Sequence, residues 1–350
     1  MKYFNYYSKY DVLHNTTIRR FETKLGERII GKEPDKTIEE LLQNKNISYV
    51  IFGVPEDIGV KANLGMGGTN TVWQDFVPNF LNIQSNDWID GNSIALLGHF
   101  DFSELQLLIE QNATNYHEKL EAFRHAVNTI DTEVEQLVGL ITKHNKMPII
   151  IGGGHNNAYG CIKGAAKGWH KAGIIAQPKI NCINFDAHAD FRPMEGRHSG
   201  NAFRYAMHDG YLDKYYLLGL HENYIQQNVW RDLLAIDAID FTTYEDIFLY
   251  EKRTLIQATA KATDFTNNSL VGIEVDVDSI RNTLSSAMSP IGFSTNEARQ
   301  LIHYTTLGCK PAYMHICEGA SSLQNGLSNH LIGKLISYLV SDFIKAMPIK

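Results

Sequence analysis

The chain is short of the features that would place it at a glance. Four of its 350 residues are cysteine. Cys161, Cys182, Cys309 and Cys317 form no C-x-x-C pair, and two stand inside apolar runs. They read as small buried hydrophobes, which argues against a disulfide framework or a thiolate metal site. Nowhere do about 18 apolar residues run together, and the opening MKYFNYYSKYD lacks the apolar core of a signal segment. A cytoplasmic protein with no membrane partner is therefore expected. No Lys/Arg cluster is long enough to follow a phosphate backbone and the formal net charge is -7, so no nucleic-acid partner is expected either. The glycine-rich stretch PEDIGVKANLGMGG closes on neither G-K-[ST] nor G-x-G-x-x-G, which excludes a phosphate loop. Internal repeats, low-complexity segments and composition breaks are missing as well.

What is present suits one large α/β domain, with a hydrophobic content of 44%. That domain is expected over 47–350, with 1–46 as an N-terminal extension packed on it. Apolar runs predict strands at 48–53, 93–98, 149–151, 180–185, 216–220, 239–241, 270–275 and 312–317. Helical spacing marks 37–43, 72–81, 119–142 and 158–171. Roughly eight strands alternating with helices predict a parallel, doubly wound sheet covered on both faces, a three-layer α/β/α arrangement.

Metal-type ligands gather at three of the strand ends. NCINFDAHAD finishes in Asp186, His188 and Asp190. Were it fully extended, Asp186 and Asp190 would stand about 13 Å apart at about 3.3 Å per residue. Metal bonds of about 2.0–2.2 Å cannot span that distance, so the chain must curl past the strand end, in one tight turn or around two metals. In IIIGGGHNN an apolar run meets Gly152 to Gly154, which permit a sharp turn, and then His155. In LVGIEVDVDSI, Glu274, Asp276 and Asp278 alternate with apolar residues. The carboxyl ends of parallel strands are where ligands bind. Four carboxylates and two imidazoles with no thiolate suit Mn²⁺ better than a soft metal, and their charge matches two divalent cations. Metals about 3.5–4 Å apart can turn a bridging water into hydroxide near neutral pH, a hydrolase's nucleophile.

GGGH, DAHAD and EVDVD, in this order, resemble the three signature segments of the arginase superfamily, the ureohydrolases, with the likeness running over roughly 48–343. The resemblance implies a three-layer α/β/α fold and two Mn²⁺ per subunit, Co²⁺ or Zn²⁺ being alternatives. His155, Asp186, His188, Asp190, Asp276 and Asp278 fall on its ligand positions. It further implies hydrolysis of a C–N bond in a guanidino or formimino group and a homo-oligomer, trimer or hexamer.

The loop FRPMEGRHSGNAFRYA narrows the branch. Arg192 stands where arginases have a substrate-contacting asparagine, the run Ser199-Gly200-Asn201 is kept, and Phe203 replaces their proton-transferring histidine. Formimidoylglutamases are similar at both points, and a guanidinium fork suits bidentate binding of a substrate carboxylate. Arg192, Ser199 and Asn201 are thus the implied substrate contacts. Glu318, in AYMHICEGA, is the implied catalytic acid that pairs with the cationic C–N group and orients it. His198, His208, His221 and His315 remain as proton-transfer candidates, while Arg197 and Arg204 read as ordinary loop or helix-surface residues. Asp57 and Asn63 either border the pocket or hold their own loop's backbone. Departures from the family stand at Gly154, at Arg281 and Asn282, and at Gly319-Ala320. The expected reaction is N-formimidoyl-L-glutamate plus water to L-glutamate and formamide, a step of histidine degradation. The alternatives are a guanidino-compound hydrolase of agmatinase, guanidinobutyrase or arginase type that releases urea, and a catalytically silent metal-binding relative with a structural or regulatory role.

Overall fold

Nine strands form one sheet in the computed structural model, which describes residues 1–347. They are β1 (Phe4–Tyr6), β2 (Tyr49–Gly53), β3 (Ile94–Phe100), β4 (Met147–Ile151), β5 (Ile180–Phe185), β6 (Leu212–Leu220), β7 (Ile239–Thr243), β8 (Val271–Asp276) and β9 (Pro311–Cys317). Their order across the sheet is β1-β3-β2-β4-β9-β8-β5-β6-β7. β2 to β9 pair in parallel, the eight strands read from the sequence. β1 is the addition: it lies antiparallel on β3 at the edge, with the Phe4 ring edge-on to Phe100 at 4.8 Å.

Every residue of β4, β5, β8 and β9 is buried, which is why these strands read as near-continuous apolar runs with helices on both faces. The longest helix, Tyr116–Lys143, opens where the Asn115 side chain accepts from the Glu118 amide, and it buries Phe123, Val127, Ile130, Val134, Leu137 and Ile141. These residues recur at helical spacing and form the stripe that faces the core. The helix Asn157–Lys171 packs along it at close range, because Gly164 has no Cβ; one placed there would stand 2.6 Å from the Glu135 carbonyl oxygen. That second helix follows directly on β4 and anchors the loop between them.

Candidate metal centre

Four adjacent strands, β4, β9, β8 and β5, deliver their first loop residues to one point at the carboxyl edge of the sheet. After β4 the backbone enters the left-handed region at Gly152 and Gly153, with φ of 91° and 77°. Glu56, buried behind this loop, accepts from the Gly59 and Gly154 amides at 3.0 Å each and from Asn157 Nδ2 at 2.9 Å. His155 is thereby held at the mouth of the strand.

The alternate spacing on β5 and β8 has a local cause. Asp186 Oδ1 accepts from the His188 amide at 2.7 Å, and Asp276 Oδ1 accepts from the Asp278 amide at 2.8 Å. Each first aspartate caps its own turn with one oxygen and aims the other inward. The chain then curls until Asp190, at φ 42°, faces the same point, the curl that the extended-chain distance demanded.

His155 Nδ1 lies 3.3 Å from Asp186 Oδ2, 2.8 Å from Asp190 Oδ2 and 3.2 Å from Asp276 Oδ2. A ring nitrogen carries at most one proton, so three carboxylate oxygens around it are more than that nitrogen can satisfy and form a group that could hold a cation; neither ring nitrogen has a hydrogen-bond partner. His188 Nδ1 lies 3.4 Å from Asp186 Oδ1 and 4.0 Å from Asp278 Oδ2. Two ligand groups result: His155, Asp186, Asp190 and Asp276 in one, His188, Asp276 and Asp278 in the other. They share Asp276, the arrangement that a pair of cations with a bridging carboxylate requires.

Electrostatics points the same way. Burial first, then the charges of Asp278 and Asp186, push Asp276 well above the ordinary carboxylate range, and burial likewise raises Asp190 and Asp278. Asp186 is the exception, since the nearby His155 and His188 rings outweigh its burial and hold it low. A buried group of acids that repel one another calls for positive charge, and the set fits divalent cations in chemistry as in geometry.

A cavity of about 200 Å³ opens beside this cluster, bounded by Asp190, Asp276, Asp278 and Glu318 and by Asn63, Arg192 and Ser199. Glu318 has φ 61°, a left-handed conformation unusual outside glycine. Its Oε1 accepts from the His155 amide at 2.7 Å, while its buried Oε2 has no partner. Arg192 Nη1 donates to Asn63 Oδ1 at 2.8 Å, Arg192 Nη2 pairs with Glu195 Oε1 at 2.9 Å, and Asn63 Nδ2 donates to Ser199 Oγ at 3.2 Å. Asn63 thus borders the cavity. Asp57 instead holds its own loop, accepting from the Gly68 amide at 3.0 Å and pairing with Lys61 at 3.0 Å.

Asn201 is a correction, since its side chain is buried away from the cavity. Its Oδ1 accepts from Arg197 Nη1 at 2.6 Å and from the His198 amide at 3.1 Å, and its Nδ2 donates to the Gly196 carbonyl at 2.7 Å. All of its hydrogen-bonding capacity shapes the loop. Arg197 is a buried strut joined to Asp131 at 2.9 Å, and Arg204 holds the Phe191 carbonyl at 2.7 Å. His198, His208, His221 and His315 all stand outside the cavity lining. Burial, then Arg192 and Arg124, push His198 down to about 3, so it stays neutral. Sequence reasoning missed Glu56 and Asn184. Asn184 Nδ2 donates to Asp186 Oδ2 at 3.0 Å, and the signal was a polar residue inside a fully buried strand, on the same face as Asp186 two positions on.

A profile of the arginase family matches residues 48–340. Formimidoylglutamase from Streptococcus pyogenes is 26% identical over 223 residues, which cover 61% of this chain and 65% of that protein. The chain therefore spans 65%, just under two thirds, of the length of the curated relatives it matches. Among solved structures, formimidoylglutamase from Bacillus subtilis superposes with a TM-score of 0.70 at 16% identity over 95% of each chain. Formiminoglutamase from Trypanosoma cruzi with Mn²⁺₂ superposes with a TM-score of 0.70 at 17% identity, over 93% of this chain and 100% of that one. At such identities the likeness establishes the fold.

Proposed function

The chain belongs to the arginase family, and from that premise we propose that it hydrolyses the amidine C–N bond of N-formimidoyl-L-glutamate to give L-glutamate and formamide. The observation that carries this reading is one cavity bounded both by an acid with a free oxygen, Glu318, and by a guanidinium, Arg192. Glu318 Oε2 accepts from the cationic formimidoyl group, and Arg192 takes a substrate carboxylate with its planar fork. Ser199 and Asn63 complete the wall beside Arg192. His155, Asp186, Asp190 and Asp276 would hold one Mn²⁺, and His188, Asp276 and Asp278 a second; the carboxylate and imidazole donors of these two groups favour manganese, with the buried Cys317 thiol also close to His155 and Asp276. When bound, the two ions supply the Lewis acidity that makes a water nucleophilic near neutral pH. Among the described residues no helix is long and apolar enough to cross a membrane, and the reading carries a cytoplasmic homo-oligomer, trimer or hexamer.

Formamide and urea assays on manganese-loaded protein test the proposal. Formamide from N-formimidoyl-L-glutamate is the expected product. Urea from a guanidino compound moves the assignment to the guanidino branch, and full manganese binding with neither product makes the chain a silent relative. Arg192→Ala is expected to raise KM for formimidoylglutamate about 10- to 100-fold with kcat little changed, hydrogen bonds to charged groups being worth about 1.5–3 kcal/mol. An unchanged KM removes Arg192 from substrate recognition.

A further inference from the structure

We propose that Glu274, itself held by Tyr313 and His315, fixes the ring and the tautomer of His155 and thereby sets the affinity of one of the two cation positions and not the other. This rests on the reading of the cluster as a two-cation centre.

Glu274 stands on β8 opposite Asn184 of β5 and His315 of β9. It precedes Asp276 by two residues, so it shares that ligand's face of the sheet about 6.6 Å further from the edge. Asn184, Glu274 and His315 form a polar row under the ligand cluster, across three neighbouring strands that are buried throughout. A carboxylate there has no solvent access, and burying it is costly unless it is hydrogen-bonded. Tyr313 OH donates to its Oε1 at 2.6 Å, and His315 Nδ1 lies 2.6 Å from its Oε2. Both partners come from alternate positions of one strand, so the carboxylate is gripped from one side and presents Oε2 on the other.

What it meets there is His155 Nε2, at 3.5 Å. The opposite nitrogen of that ring, Nδ1, is the one surrounded by Asp186, Asp190 and Asp276. An imidazole that gives its Nδ1 lone pair to a cation carries its proton on Nε2, and histidine ligands regularly donate that proton to a carboxylate, which fixes the ring and raises its basicity. His155 Nε2 has no hydrogen-bond partner. A ring tilt of roughly half an ångström brings the pair to hydrogen-bond length. Phe203, edge-on to the His155 ring at 5.1 Å, packs against the same imidazole. The selectivity follows from membership: His155 belongs to the group with Asp186, Asp190 and Asp276, whereas His188, Asp276 and Asp278 make up the other.

Manganese titration of the metal-free full chain, followed by the electron paramagnetic resonance of free Mn²⁺, tests this on wild type, Glu274→Gln and Tyr313→Phe, with thermal melting of each metal-free protein alongside. Wild type is expected to take up two equivalents. Glu274→Gln is expected to hold one as tightly as wild type and to bind the other about 10- to 100-fold more weakly. Tyr313→Phe leaves the carboxylate in place but loosens its grip; it is expected to weaken the same equivalent by a smaller factor while the other equivalent keeps its wild-type affinity, and it carries the test should Glu274→Gln not fold. Unchanged binding in the variants overturns the proposal, and so does equal weakening of both equivalents together with a lower melting temperature, the mark of a purely structural role. No uptake by wild type overturns the two-cation reading beneath it.

Discussion

Glu318 combines two costs in one residue, a left-handed backbone and a buried carboxyl. The backbone is held by its amide, which donates to the Gly153 carbonyl at 2.9 Å, and by its carbonyl, which accepts from the Ser286 amide at 3.1 Å. Strain of this kind costs on the order of 1–3 kcal/mol and persists at functional sites where the surroundings enforce it. Burial first, and then the charge of Asp278, push the carboxyl up to about 8 from an ordinary 4.5. The native metal-free chain thus keeps a proton that the unfolded chain releases. That preference is present in full below about 4.5 and is lost as pH rises toward about 8. Denaturant unfolding of metal-free protein at both ends of this window is expected to show wild type losing more stability with rising pH than Glu318→Gln; equal losses would leave the raised carboxyl without support. Single residues also mark how far the sequence could be read. Four of the six side chains that converge, Asp186, His188, Asp276 and Asp278, were legible because D-x-H and D-x-D describe a turn in which the first acid caps its own backbone and points its second oxygen inward. Asn201 was not, because nothing in a sequence separates an amide that faces a cavity from one folded into its own loop. Glu274 was hidden as one more polar residue in an alternating strand.

Loops and strands differ in how openly they declare themselves. β4, β5, β8 and β9 were readable as apolar runs, and Gly152 to Gly154 as a turn. β1 was not, since Phe4–Tyr6 is too short to show a period and pairs only with the edge of β3. β6 begins at Leu212, ahead of the apolar stretch that marked it, because Asp213 and Lys214 belong to the strand without contributing to its hydrophobic pattern. The turn after β4 gives a direct test of an element's contribution. At Gly153 the backbone has φ 77°, and an added Cβ would stand 2.5 Å from the Val54 carbonyl oxygen and 3.0 Å from Glu56 Oε1. Neither neighbour can withdraw freely, since Val54 pairs its amide with the Ile151 carbonyl at 2.9 Å and Glu56 staples the loop. Gly153→Ala is expected to lose about 1–3 kcal/mol of stability and, by displacing His155, to weaken manganese uptake. Denaturant melting and metal titration measure both, and a variant with wild-type values would show that the loop does not set the position of His155.

At the scale of the molecule, the order of strands in space is what makes a site. β4, β9, β8 and β5 are neighbours in the sheet although β9 closes the series in the chain, because after β4 the polypeptide leaves a gap that β8 and β9 later fill. Runs and spacings predict strands but not that order. The consequence of the order is a crowd of acids in a small buried volume. Asp276 suffers most, pushed well above its ordinary range by burial and then by Asp278 and Asp186. The fold of the metal-free chain is therefore opposed by the same groups that would hold its cations. Asp276→Asn removes one of the repelling charges while keeping the side chain's shape, and it deletes the carboxylate common to both ligand groups. The metal-free variant is expected to melt above metal-free wild type, by roughly 2 °C for each kcal/mol of relieved repulsion. Wild type is expected to gain far more once manganese is added, since a ligand at about 1,000 times its Kd stabilises by about 4 kcal/mol, and the variant to gain little. Calorimetry of the four samples decides the matter. A metal-free variant that melts below wild type yet keeps the full manganese shift would mean that the acids are neither crowded nor shared, and the two-cation centre would have to be rebuilt without Asp276 as its bridge.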